Sequence, residues 1–137
     1  MIVSVDGGVT WSSSGIAANE GLTASDSNFG AMVVAGEAGT ILLNNEGVWA
    51  DLSHSSLGDI ADIALTGNDS FVVLTGSEIW KFQILDGGGH NWEAVGGISE
   101  GRLLSVSFLD SENGLASGDN GIILASTDGG ETWGHRE

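Results

Sequence analysis

The chain has 137 residues, enough for one ordinary domain, and at 41% hydrophobic it can bury a core. Three Lys and Arg stand against 19 Asp and Glu, a net charge of −16, so no clustered cationic surface exists for nucleic acid or for an anionic membrane. Cysteine is absent, which removes disulfides and thiolate metal sites, and 23 Gly without Pro read as turn residues rather than as a linker.

The N-terminal run Ile2–Val5 and the run Thr10–Ser13 read as two arms of a hairpin, assigned to a half-blade over 1–16. MIVSVDGG carries no basic segment and no apolar h-region, so no signal peptide is read there. No apolar run reaches the roughly 20 residues that span a bilayer, so no membrane insertion is expected. Three longer units follow, over about 21–53, 58–96 and 102–135, within a single domain of 1–137. In the last, Leu104–Leu109, Leu115–Ser117 and Ile122–Ser126 read as strands with turn residues between them, and Thr132-Trp133 as a closing strand. The other two parse alike from Leu22 and Ile60. No segment keeps a 3.6-residue period, so almost no helix is expected.

Tryptophans mark the period. Trp11, Trp49, Trp92 and Trp133 are 38, 43 and 41 residues apart (49−11, 92−49, 133−92), close to the length of one four-stranded propeller blade. The residues before them recur. Ser4, Asp6, Gly7, Gly8, Thr10 and Trp11 match Ser126, Asp128, Gly129, Gly130, Thr132 and Trp133. Asp86, Gly88 and Trp92 form a looser copy, and Asn44 to Trp49 a looser one still. Upstream, Ala35-Gly36-Glu37-Ala38-Gly39-Thr40-Ile41-Leu42 parallels Ser117-Gly118-Asp119-Asn120-Gly121-Ile122-Ile123-Leu124, with Thr75 to Trp80 a shortened form. The chemistry is that of a braced turn. An Asp accepts hydrogen bonds from backbone N–H groups just downstream, Gly supplies positive φ, and Trp buries apolar area at the base of the next strand.

The motif Ser-x-Asp-x-Gly-x-Thr-Trp resembles the Asp-box, or BNR repeat, found in sialidases, sortilin-type receptors, some glucanases and Ycf48-type photosystem II assembly factors. The Gly-x-x-Gly-x-Ile-Leu stretch is most similar to the Ycf48-like and phage-protein versions. The resemblance runs from Ile2 to Trp133. It implies an all-β chain of tandem four-stranded antiparallel propeller-type blades, about three plus the N-terminal half-blade hairpin, completed by oligomerisation. It also implies that Asp6, Asp86 and Asp128 brace turns rather than act on substrate. Sialidases use a Tyr nucleophile and an arginine cluster, and this chain has no Tyr and two Arg. No Gly-x-Ser-x-Gly elbow occurs, and no carboxylate pair stands out from the turns. His54, His90 and His135 lack metal-ligand spacing and read as surface or loop residues. The chain is therefore read as non-catalytic, without metal or cofactor. Trp80, alternating with Phe82 and Ile84, reads as core.

An array of three and a half blades falls short of a closed ring and leaves strand edges and an apolar face open. A homo-oligomer or a place in a larger assembly is the expectation. Three functions follow: a structural or recognition protein of a phage virion, in a tail, spike, neck or capsid-decoration role; a Ycf48-like assembly factor; or a glycan-binding or hydrolysing module. The phage reading leads, on a short, acidic β-repeat chain with open edges. Ycf48-like factors meet their partners through a positive patch, which three cations cannot build.

Overall fold

The computed structural model describes residues 1–13 and 20–136. Residues 14–16 of the expected half-blade lie outside them. The hairpin consists of β1 (Ile2–Val3) and β2 (Ser12–Ser13), paired antiparallel. Three four-stranded antiparallel sheets follow, each an up-and-down meander in chain order. The first blade is β3 (Leu22–Asn28), β4 (Ala31–Gly36), β5 (Ile41–Asn45) and β6 (Val48–Asp51). The middle blade is β7 (Asp62–Leu65), β8 (Ser70–Thr75), β9 (Glu78–Ile84) and β10 (His90–Gly97). The last blade is β11 (Leu103–Phe108), β12 (Gly114–Gly118), β13 (Ile123–Ser126) and β14 (Gly134–Arg136). Helix among the described residues amounts to three single 3-10 turns, Glu37–Gly39, Ser55–Leu57 and Asp119–Gly121. The expected all-β array of three blades and a half-blade hairpin is the observed fold.

Several strand limits of the last blade differ from the sequence reading by one residue, and two places differ by more. The hairpin arms are shorter than Ile2–Val5 and Thr10–Ser13, and Thr132-Trp133 precede the final strand rather than form it. The cause is the same in both places: Asp carboxylates take the N–H groups of Thr10 and Thr132, which are thereby withdrawn from ladder pairing.

Alternation along the strands sends each blade's apolar residues to two faces. Val33, Ile41 and Leu43 of the first blade meet Ile63, Leu65, Phe71, Val73 and Phe82 of the middle one. Phe71 stacks on Phe82 at 4.6 Å, and Trp92 closes edge-on over Phe71. The opposite face of the middle blade, Ala64, Val72, Leu74 and Ile79, meets Leu103, Val106, Phe108, Ala116 and Leu124 of the last. Trp80 packs against the first of these cores, as its alternation suggests.

Polar devices fix blade to blade. The inner strands β7 and β11 are sheet edges whose outward N–H groups are buried and need acceptors. Asp26 Oδ2 accepts from Leu65 N at 2.8 Å, and Asp62 Oδ2 from Val106 N at 2.8 Å. The first and middle blades thus each supply a carboxylate to the inner strand of the next. The backbone repeats the step, Ile60 N donating to Gly36 O and Leu103 N to Gly76 O. Glycine is required at the two equivalent positions Gly36 and Gly118. A Cβ there would lie 1.9 Å from Gly21 O and 2.1 Å from Arg102 O.

Candidate functional site

The two full copies of the motif fold into the same lock. In the first, Ser4 Oγ donates to Asp6 Oδ1 at 2.9 Å and accepts from Gly8 N at 2.8 Å. Asp6 accepts from Thr10 N at 2.8 Å and from the Thr10 hydroxyl, and Trp11 Nε1 donates to Gly8 O at 3.1 Å. In the second, Ser126, Asp128, Gly130, Thr132 and Trp133 make the same bonds at 2.8–3.0 Å, with the Thr132 hydroxyl again on Asp128. The Thr hydroxyl, then the Thr amide, then the Ser hydroxyl hold each carboxylate in its charged form, and both Asp6 and Asp128 are lowered to about 2. Each of these hydrogen bonds comes from the carboxylate's own turn, so Asp6 and Asp128 brace that turn.

The looser copies do not reproduce the lock. At Asp86, Gly88 and Trp92 the turn closes through backbone alone, Leu85 N donating to Gly89 O and Gly88 N to Leu85 O. No Ser precedes Asp86 by two residues and no Thr follows it by four, and its carboxylate takes no hydrogen bond among the described residues. At Asn44 to Trp49, a two-residue turn at Glu46-Gly47 joins β5 to β6, with Gly47 N on Asn44 Oδ1. Asp86 and Gly88 are therefore turn residues without the brace, while Trp92 packs half-buried against the first core, edge-on to His54 at 5.4 Å.

The locks differ in what surrounds them. The second docks on the middle blade. Val72 and Lys81, cross-strand partners on β8 and β9, form its socket. A Cβ at Gly130 would come within 2.9 Å of Val72 Cγ1. Lys81 Nζ donates to Gly129 O at 2.9 Å and pairs with Glu131 at 2.7 Å. Trp133 lies edge-on to Phe108 at 5.8 Å. The first lock is exposed apart from the half-buried Ser4, and Trp11 is 59% exposed.

Two concave surfaces remain open. A cleft of about 660 Å³ lies between the hairpin and the first blade, lined by Ile2, Trp11, Leu22, Met32 and Trp49 among others. A second, of about 520 Å³, lies on the outer side of the last blade and is lined by Ser107, Phe108, Leu109, Leu115 and Ala125 among others. Exposed Leu104, Leu109, Leu115 and Ile123 make this blade's outer side apolar. No group of three or more His, Asp or Glu side chains among the described residues comes together to hold a metal ion. Among the described residues no helix is long and apolar enough to cross a membrane. Lys81 is engaged as above and Arg102 Nε meets Asp119 Oδ2 at 3.3 Å, so the cations do not gather.

No family model matches the sequence. Local similarity runs to the photosystem II assembly lipoprotein Ycf48 of Prochlorococcus marinus. The MIT 9312 protein is 40% identical over 45 residues, covering 33% of this chain and 13% of that protein. The NATL2A protein is 37% identical over 65 residues, covering 47% of this chain and 19% of that one. The chain spans less than a fifth of the length of these relatives. Among solved structures, YCF48 from Cyanidioschyzon merolae aligns with a TM-score of 0.61 at 20% identity, over 85% of this chain and 39% of that chain. That likeness is one of fold, a β-propeller, and the repeats are propeller-type and similar to those of Ycf48. None of these matches points to a virion component.

Proposed function

We propose that this chain is a non-catalytic assembly module that acts by holding another polypeptide, in the manner the name of its Ycf48 relatives describes for photosystem II. The observation that carries the reading is the agreement of two independent likenesses, 37–40% local identity to Ycf48 proteins and a 0.61 TM-score to a Ycf48 structure. The carboxylates of the two full locks are occupied with their own backbone, which favours a surface that binds over one that reacts. With two of its three cations tied to carboxylates, the chain would meet its partner through apolar and acidic surface instead of a positive patch. The test is retention of purified photosystem II assembly intermediates and of the mature complex on the immobilised chain. Retention of intermediates alone supports the reading, and retention of neither removes it.

A second reading, glycan binding, draws on Trp11 and Trp49 at the larger cleft, since aromatic faces suit sugar rings. A glycan screen without hits would remove it.

A further inference from the structure

The second lock joins the last blade to the middle one: its Gly-Gly turn enters a socket made by one cross-strand pair of the preceding blade. In the middle blade that pair is Val72 and Lys81, three pairs beyond Thr75–Glu78, where the turn joins β8 to β9. In the last blade the turn joining β12 to β13 is closed by Gly118 N on Ile122 O, and three pairs beyond it stand Leu115 and Ala125. Leu115 therefore stands where Val72 stands and Ala125 where Lys81 stands. Both line the open 520 Å³ cleft, and Leu115 is 56% exposed. The last blade thus carries an empty copy of the socket that the middle blade has filled.

The chain also carries a lock without a socket. Residues 4–11 have the same internal hydrogen bonds as residues 126–133, so the turn is preformed, and none of it is buried. The two differ where the socket differs. Position 131 of the docked lock is Glu, paired with Lys81. The same position of the exposed lock is Val9, 81% exposed, and the residue it would face in the empty socket is Ala125. An ion pair in the filled joint corresponds to an apolar pair across the open one. The inner strand follows suit: β11 presents Ser105 and Ser107 on this side, with no carboxylate, in keeping with a two-stranded hairpin that brings no inner strand needing an acceptor.

We infer that the first lock of one chain docks into the Leu115–Ala125 socket of a second copy, so that copies associate head to tail. The joint is heterologous, using different surfaces on the two partners. Each chain supplies three blades and a hairpin, or four blade positions, and two copies supply eight. That is within the roughly four to eight blades of closed propellers.

Light scattering coupled to size exclusion reads the outcome. The purified 137-residue chain is expected at twice 14.0 kDa or more, and a mass of 14.0 kDa at all concentrations overturns the inference. Val9→Glu places a charge against Ala125 and should return the protein to the single-chain mass. Circular dichroism would remain that of the wild type, since Val9 is on the surface. Val9→Glu combined with Ala125→Lys rebuilds the Glu131–Lys81 arrangement and should restore the larger mass. Indifference of the mass to Val9→Glu, or failure of the double variant to recover it, overturns the pairing.

Discussion

Asp62→Ala tests whether the carboxylate relay between inner strands holds the blades together. Asp62 Oδ2 lies 2.8 Å from the amide of Val106, a residue 6% exposed, on a strand edge that has no ladder partner on that side. Removing the acceptor leaves a buried N–H unpaired, which costs about 1–3 kcal/mol. For a chain of this length that corresponds to a fall in Tm of roughly 3–15 °C. Asp62→Asn keeps an oxygen at the same place and should cost well under half as much. Asp26→Ala should behave like Asp62→Ala, because it removes the acceptor of Leu65 one joint earlier. Urea titrations followed by circular dichroism and tryptophan fluorescence supply the free energies. An Asp62→Ala protein within about 0.5 kcal/mol of wild type, the range of ordinary surface changes, would refute the relay. So would an Asn variant as damaged as the Ala one.

Gly130→Ala forces a side chain to φ +88° and to 2.9 Å from Val72 Cγ1, and should destabilise the protein by roughly 1–3 kcal/mol in the same titration. Asp86→Ala should stay within about 0.5 kcal/mol of wild type, because that carboxylate takes no hydrogen bond among the described residues. Asp128→Ala should be distinctly less stable than Asp86→Ala, since it opens a full lock. Acid should weaken both locks. The folded carboxyls of Asp6 and Asp128 titrate at about 2, below their unfolded value, so their contribution is complete above about pH 4 and is lost as the pH falls towards 2. Stability measured from pH 5 to 2 should fall less steeply in an Asp6→Asn, Asp128→Asn protein.

The turns were the legible part of the sequence. A lock needs Ser, Asp, Gly and Thr at fixed offsets, so a full match such as 126–133 states its own hydrogen bonds. A partial match does not, and the tryptophan period carried Asp86 along although the Ser and Thr that complete the brace are missing. The joints were not legible. Asp26 and Asp62 sit inside strands with no neighbouring signature, and they differ from other carboxylates only in facing an amide 39 or 44 residues away. Lys81 likewise reads as an ordinary strand lysine until the second lock is brought against it. Of the three functions expected from the sequence, open edges put a virion role first, whereas the short stretches of identity run to the assembly factors held as the alternative.

The relay also bears on how the chain acquires its structure. Among the described residues every side-chain bond between blades joins partners at most 50 apart, and each lock closes within eight residues. Nothing in the described joints waits on a distant part of the chain. Nearest-neighbour arrays of this kind propagate from one unit to the next. A blade emerging during synthesis already finds its acceptor waiting, Asp26 for β7 and Asp62 for β11. Folding from the N-terminus should keep pace with translation, and chains halted after the middle blade should already resist proteolysis across Leu22–Gly97.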